Sequence, residues 1–269
     1  LQNLEKKRIF NKRPFYIGLL IFVLLGAAAY GLLHKEFWLD RFRSSETFDI
    51  DSQHAVNTNH LKELRISGSS RLIFSDLKKH LSTVQGPVYI IDLTGGGEQY
   101  YYGYTAGFFK ATKGKPNIIH LLRRLLLTGS MKIDVSALQK EEEIVQRHGY
   151  HYKSFLIVRR SPPSEQTMHD IVEFIEALPK EAWLHVHCFA GKGRTTMFMI
   201  MVDIIKNHAT VPLEDIVKRQ YLLGGIDLFD TTVWKNGSYT KEELEARKNF
   251  IIRFHQYVKN RQGQQEKVT

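Results

Sequence analysis

HCFAGKGRTT, running from His187 to Thr196, stands between the run WLHVH (Trp183–His187) and the run MFMIMVDII that follows Thr196. The first flank is short and apolar and reads as a buried strand. The second reads as a helix from Thr195 to Lys206 with a mostly apolar surface. Strand, loop and helix in that order put the loop at the carboxyl end of a sheet strand, where α/β folds hold their ligands. The loop carries the only cysteine of the chain. A thiolate is the nucleophilic form of cysteine, and a helix N-terminus and a guanidinium both lower a thiol pKa. Gly191 and Gly193 let the backbone fold tightly, so that the N–H groups of Phe189, Ala190, Gly191, Lys192 and Gly193 point inward as an anion nest. Arg194, six positions after Cys188, can grip two phosphate oxygens at once. Thr195 can hydrogen-bond the sulfur and help expel it. Cys188, Arg194 and Thr195 are therefore the candidate catalytic residues of a phosphoryl transfer through phosphocysteine.

Upstream, Val88–Asp92 (VYIID) and Phe155–Val158 (FLIV) read as buried strands. Ser75–Leu81 reads as a helix with Ser75 as N-cap, Glu141–His148 as one ended by Gly149, and Ser164–Leu178 as an amphipathic helix stopped by Pro179. Later helices are expected near Leu213–Leu222 and Lys241–Lys259. Strands alternate with helices, so the class is α/β with a largely parallel central sheet. Tyr100, Tyr101, Tyr102 and Tyr104 read as loop packing, with a pocket rim as the alternative. Lys110, Lys113, Lys115, Arg123 and Arg124 read as solvated surface, with contact to a polyanion as the alternative. His187 is expected to order the catalytic loop by hydrogen bonds, and His185 to be a packed strand residue.

Four segments follow: 1–35, a basic head and an apolar span; 36–60, a linker or irregular lead-in; 61–261, the catalytic domain; and 262–269, a polar, disordered tail. Pro14–Leu33 is free of charge and long enough to cross a bilayer as a helix. Lys6, Lys7, Arg8, Lys12 and Arg13 precede it, which places the N-terminus in the cytoplasm and the domain outside it, with Phe37 and Trp38 as interfacial anchors. A cleaved signal peptide, with Ala27–Ala29 as the cleavage region, and a buried core helix are the competing readings. The expected location is a bacterial inner membrane with a periplasmic domain, or secretion if the segment is cleaved. Leu stands first rather than Met, which reads as a fragment, a processed chain or an unusual start codon. Net charge is +10, half of it from residues 1–35. No basic helix with interleaved aromatics, zinc-finger spacing or RNP-like motif accompanies it, so a small polyanion or a membrane surface is the expected partner and nucleic acid is not. No cofactor and no metal are expected.

The pattern HCxAGxGRT resembles the signature of protein-tyrosine-phosphatase-like enzymes. LRISGSS (64–70), VYIIDL (88–93), LPKEAWLHVHC (178–188) and DIVKRQYLLGG (215–225) extend the likeness to the bacterial PTP-like phytases over roughly 60–260. The resemblance implies a PTP-like fold and hydrolysis of phosphomonoesters, with inositol polyphosphates as the favoured substrate. Lys192 is similar to a lysine in the phosphoinositide phosphatase related to tensin, where it favours highly charged headgroups. Asp92 and His187 fall at supporting positions. Lys218, Arg219 and Lys235 fall where outer phosphates could be met, Lys235 being the nearest match, with exposed basic residues on a helix and loop as the alternative. Phosphoprotein hydrolysis by a tyrosine or dual-specificity phosphatase, and an inactive fold that only binds phosphorylated ligands, are the alternatives.

Three positions depart from the family pattern. The place of the family's general-acid aspartate falls on or near Arg159, where no carboxylate stands. Phe189 replaces a frequent glutamate and Thr94 an arginine. The general acid is therefore unassigned, with Asp92, Glu165 and Asp170 as candidates.

Overall fold

In the computed structural model, residues 13–37, 41–46, 55–111, 114–235 and 237–265 are described. Lys113, Trp38 and the basic residues before Arg13 lie outside them. In chain order the elements are α1 (Arg13–Phe37), β1 (Arg43–Ser44), β2 (Ile66–Ser69), α2 (Phe74–His80), β3 (Val88–Asp92), β4 (Gln99–Tyr101), β5 (Tyr104–Thr105), α3 (Ala106–Phe109), α4 (Ile118–Thr128), β6 (Gln139–Lys140), α5 (Glu141–Arg147), β7 (His151–Ser154), α6 (Glu165–Glu176), β8 (Trp183–His187), α7 (Gly193–Asn207), α8 (Leu213–Leu222) and α9 (Lys241–Gln265).

The main sheet has the order β1-β2-β8-β3-β7. Its four longer strands are parallel, and β1 is an antiparallel edge. This is the α/β architecture with a largely parallel central sheet expected from the sequence. The strand period of two sorts side chains between the faces. On β8, Leu184 and Val186 join the larger core, together with Cys188 just beyond the strand. Trp183 joins the smaller core on the opposite face, with Val88, Ile90 and residues of α2 and α5. The alternation carries His185 and His187 to that second face.

Thirteen of the fifteen residues of α7 are buried, which explains why the helix is apolar all round. Each fully buried Phe, Ile or Met on it contributes roughly 1.5–3 kcal/mol relative to exposure. That packing fixes the axis along which the helix N-terminus meets the catalytic loop.

Several local expectations are corrected. α2 begins at Phe74 with Ile73 as N-cap and no side-chain cap, so Ser75 is not the cap. The strand expected at Phe155–Val158 lies four residues earlier, at His151–Ser154. β3 ends at Asp92 opposite Ser154, and Gly95 and Gly96 turn that chain away at positive φ. Phe155 and Ile157 still point inward, and Phe155 N donates to Asp92 O at 2.8 Å, but beyond that the regular ladder gives way to an isolated bridge between Leu156 and Thr94. The lead-in is not all irregular, because β1 closes the sheet edge. The last helix continues through Gln265; the remainder of the tail lies outside the described residues. A second, small antiparallel sheet has the order β5-β4-β6.

The span Phe15–Leu33 within α1 has a mean hydropathy of 2.2, and no residue of it is fully buried; its end, at Leu32 and Leu33, is partly covered by the domain. It therefore is not the core helix weighed above. A membrane anchor and a signal sequence both meet the same criteria of length and composition.

Candidate active site

β8 delivers Cys188 to the end of the sheet, and α7 starts five residues later at Gly193. Between them Gly191 adopts φ +66, and a Cβ there would stand 2.5 Å from the amide nitrogen of Ser70. Only glycine tolerates both that backbone conformation and that approach. The loop is thereby curled against the end of β2. Gly193 has a different reason: a Cβ there would meet the Tyr239 hydroxyl at 3.0 Å.

Cys188 is 3% exposed. The Thr195 hydroxyl donates to its sulfur at 3.1 Å. Burial pushes the thiol up. The Thr195 hydroxyl, the Arg194 charge and the backbone amides of Ala190 and Thr195 outweigh burial and leave it below the ordinary thiol value. Arg194 Nη1 donates to the carbonyls of Leu93, 3.0 Å, and Ile157, 3.2 Å. Those two bonds use one nitrogen, so the other edge of the guanidinium can face a phosphate. Phe189 is half exposed, with the Arg71 guanidinium 3.6 Å from its ring centroid. Lys192 is exposed on the loop rim.

Beneath the loop, His187 Nε2 lies 2.6 Å from Glu141 Oε1, and both side chains are 1% exposed. Burial alone would lower this imidazole. The Glu141 carboxylate, helped by Asp92 and the Cys188 thiolate, lifts it to about 9. His187 thus pairs with a carboxylate on α5 and carries a positive charge at neutral pH. His185 packs in the strand as expected, with Ser67 Oγ at 2.9 Å and Ser69 Oγ at 3.0 Å from its ring nitrogens. Burial, then the neighbouring His187, His80 and Arg43, hold it well below the usual histidine value.

Asp92 closes the loop after β3. Its carboxylate accepts from Thr94 N, Thr94 Oγ1, Gly96 N and the Tyr152 hydroxyl, all within 3.2 Å. Thr94, standing where the family has an arginine, is part of that clasp. Glu165 and Asp170 are exposed on α6, and Asp170 accepts from Gln166.

Four residues that sequence reasoning missed join the site. Glu141 is one. Arg43 is another: it is buried, and it donates to Gly191 O at 2.8 Å and to Thr196 Oγ1 at 3.1 Å. Burial lowers it to about 10, with the thiolate of Cys188 opposing that shift. The third is Glu98, 3.6 Å from Arg71. Burial raises its carboxyl, Arg71 opposes, and Glu141 and Asp92 raise it further. The fourth is Arg247 on α9, which is 4% exposed and whose Nε and Nη1 have no protein hydrogen-bond partner. Arg247 lines a groove of about 640 Å³ beside the loop, with Lys192, Gly193, Lys218, Trp234 and Tyr239.

Two expectations about basic residues are corrected. Arg219 is wholly buried, pairs with Asp203 and donates to the Asn59 carbonyl, so it does not face a ligand. Arg123 and Arg124 are buried rather than solvated. Lys235 is exposed but is not among the groove-lining residues. Of the tyrosines, Tyr100 and Tyr101 pack inside and Tyr102 is exposed.

The PTP-like phytase family model, described as inositol hexakisphosphate, matches residues 121–206. An effector protein of Pseudomonas syringae pv. tomato, hopD2, is 32% identical over 123 residues. That match takes in 45% of this chain and 26% of the effector, so the chain spans about a quarter of that relative's length. The protein AvrBs1.1 of Xanthomonas campestris pv. campestris is 37% identical over 82 residues, 30% of this chain and 79% of that protein. Among solved structures, the PTP-like myo-inositol phosphatase of Mitsuokella multacida, in complex with an inositol tetrakisphosphate, is 27% identical at a TM-score of 0.65. The match covers 82% of this chain and 43% of that one. A PTP-like phytase of Bdellovibrio bacteriovorus is 27% identical at a TM-score of 0.57, covering 82% of this chain and 84% of its own.

Proposed function

This chain belongs to the PTP-like phytase family, and we propose that it hydrolyses inositol polyphosphates through a phosphocysteine at Cys188. The observation that carries the proposal is the buried sulfur that accepts a hydrogen bond from Thr195, at the start of α7 and beside Arg194. In the first step the Cys188 sulfur attacks phosphorus. The S–P bond forms, the P–O bond to the inositol breaks, and a proton passes to the leaving oxygen. In the second step a water oxygen bonds to the phosphorus of the phosphocysteine and gives up a proton to the group that protonated the leaving oxygen, the S–P bond breaks with its electrons returning to sulfur, where Thr195 stabilises them, and phosphate departs. Loop amides and Arg194 hold the three equatorial oxygens throughout.

The proton comes from Glu98 in this reading. Its raised pKa keeps it protonated further into the working range. Its link to the loop runs through Arg71, which stacks on Phe189. Lys192, Lys218 and Arg247 line the adjoining groove with three cations against the two carboxylates of Asp227 and Asp230, an excess that suits the remaining phosphates of a polyanion.

The test is phosphate release from inositol hexakisphosphate, with Cys188→Ser as control. Release that disappears in the variant supports the reading. Binding without release, lost in Arg194→Ala, would make the protein an inactive phosphorylated-ligand binder, for which Arg159 at the family's acid position is the supporting observation. Equal or better turnover of phosphotyrosine peptides would overturn the substrate assignment.

A further inference from the structure

α4 is built inside out. Arg123 and Arg124 point into the protein, while Ile118, Ile119, Leu122, Leu125 and Leu126 are each at least 38% exposed. At 100° per residue those five fall on one face of the helix. The inward arginines are not solvated: Arg124 donates to the carbonyls of Phe109, Lys110 and Met131, and Arg123 to that of Phe108. The polar side is thereby locked onto the domain, and the apolar side is held outward by design of the hydrogen bonds rather than by a lack of alternatives. Asn117 caps the helix with a reciprocal box, so its start is fixed as well. A contiguous apolar face held outward in this way marks a surface that is covered by something else.

The position of α4 says what covers it. Arg123 Nε donates to the carbonyl of Leu32 at 2.7 Å, and Leu33 packs against Phe108, Phe109 and their neighbours beside α4. Leu32 and Leu33 are the last residues of the apolar span Phe15–Leu33. A bilayer crossed by that span has its surface at the level of Leu32 and Leu33, which is where α4 sits. An amphipathic helix lying in the interface plane buries its apolar face at the boundary between headgroups and acyl chains. Lys115 and Lys132, exposed just before and after the helix, can meet anionic headgroups.

We infer that α4 is an interfacial helix that lays its Ile118–Leu126 face into the membrane crossed by α1, and so fixes the orientation of the phosphatase domain on that surface. The inference rests on α1 being a retained anchor, but not on the substrate. The contacts of Leu32 and Leu33 would survive cleavage near Ala27–Ala29, so the support for retention is the exposed apolar face of α4 beside them, which only a retained span would bring to lipid.

The test places spin labels on cysteines introduced one at a time in the full chain carrying Cys188→Ser. The variants are Leu122→Cys, Leu126→Cys, Lys132→Cys and Leu20→Cys, reconstituted in vesicles of phosphatidylcholine and phosphatidylglycerol. All four replace exposed side chains, so folding is preserved. The expected result is loss of collision with a water-soluble nickel complex, and gain of collision with oxygen, at 122, 126 and 20 but not at 132. Nickel access at 122 and 126 equal to that at 132, with 20 still protected, overturns the inference and leaves the anchor standing. Nickel access at 20 as well overturns both. Spin–spin broadening at 122 that is relieved by diluting with unlabelled chain shows a second copy covering the face, and also overturns it.

Discussion

The imidazole of His187 and the carboxylate of Glu141 form a fully buried ion pair, 2.6 Å apart, directly below the residue that follows His187 in the chain, Cys188. The pair places a positive charge against the underside of the catalytic loop. Glu141→Gln removes the carboxylate, and burial then favours the neutral imidazole. His187 is raised in the folded state to about 9, so its contribution is fully present below the ordinary histidine value near 6.5 and is lost as pH climbs through about 9. Breaking a buried pair from one side costs about 3–5 kcal/mol. Urea denaturation is therefore expected to show a large deficit for the variant at pH 6 that shrinks by pH 10. A deficit independent of pH would show that the pairing is not the source.

Thr195 touches the nucleophile itself. Its hydroxyl is the largest of the influences that hold the Cys188 thiol down against burial. Thr195→Val keeps the shape and removes the donor. The expected outcome is an upward move in the pH midpoint for alkylation of Cys188 by iodoacetamide. Turnover is expected to fall by about 10²-fold, the scale for losing one preorganised donor to a developing charge. Slowed breakdown of the phosphocysteine would be visible as a burst of the first product.

Arg43 reaches the loop from β1, a two-residue strand of the lead-in segment. Its bonds to Gly191 O and Thr196 Oγ1 hold the curled loop and the first turn of α7 together. Arg43→Met leaves a buried carbonyl unpaired, a cost of about 1–3 kcal/mol. Phosphate or vanadate affinity is expected to weaken about 10-fold or more, because the nest depends on loop geometry that costs this much to hold. Thermal unfolding with and without vanadate checks it: a ligand-induced rise in Tm as large as wild type would show that Arg43 does not position the loop.

The catalytic loop was legible because its chemistry is local. A nucleophile, a tight glycine, a guanidinium and a helix start all fall within ten residues, and the strand and helix around them have strong periodicity. Glu141, Glu98, Arg43 and Arg247 were not legible, because their roles come from the sheet order. β8 sits between β2 and β3, which brings Arg43 from one edge and His187 onto the α5 face. Charged residues on a helix or lead-in carry no sign of which strand they will meet. The strand misread at Phe155–Val158 has the same origin: its apolar content was right, but the pairing partner had already ended at Asp92. Arg123 and Arg124 misled in the opposite sense, since arginines in a leucine-rich run look solvated until their carbonyl partners are known.

Glu98 is expected to matter most where the leaving group is poor. Its carboxyl is raised by burial, with Arg71 opposing, so it stays protonated to higher pH than an ordinary glutamate. An inositol alkoxide needs that proton, whereas p-nitrophenolate does not. Glu98→Gln should therefore cut release from inositol hexakisphosphate by about 10²–10⁴-fold. It should spare p-nitrophenyl phosphate and remove the alkaline limb of the pH–rate profile. Equal losses on both substrates would mean that Glu98 serves the fold through Arg71 and not the leaving group.

Arg247 separates a polyphosphate from a monophosphate. The side chain is 4% exposed and faces the groove, and two of its nitrogens lack protein partners beside Gly193 and Tyr239. Burial lowers its pKa, with Tyr239 and Glu243 opposing. Arg247→Met keeps the apolar stem but removes the charge, together with the guanidinium's contact on the Tyr239 ring. A charge-assisted bond of about 1.5–3 kcal/mol corresponds to roughly 10–150-fold in affinity. KM for inositol hexakisphosphate is expected to rise by that order with kcat little changed, because an outer phosphate is bound alike in ground and transition states. For p-nitrophenyl phosphate, which has no second phosphate to place in the groove, both constants should stay near wild type. A matching rise in KM for both substrates would put Arg247 at the catalytic loop and leave the groove without a role in substrate choice.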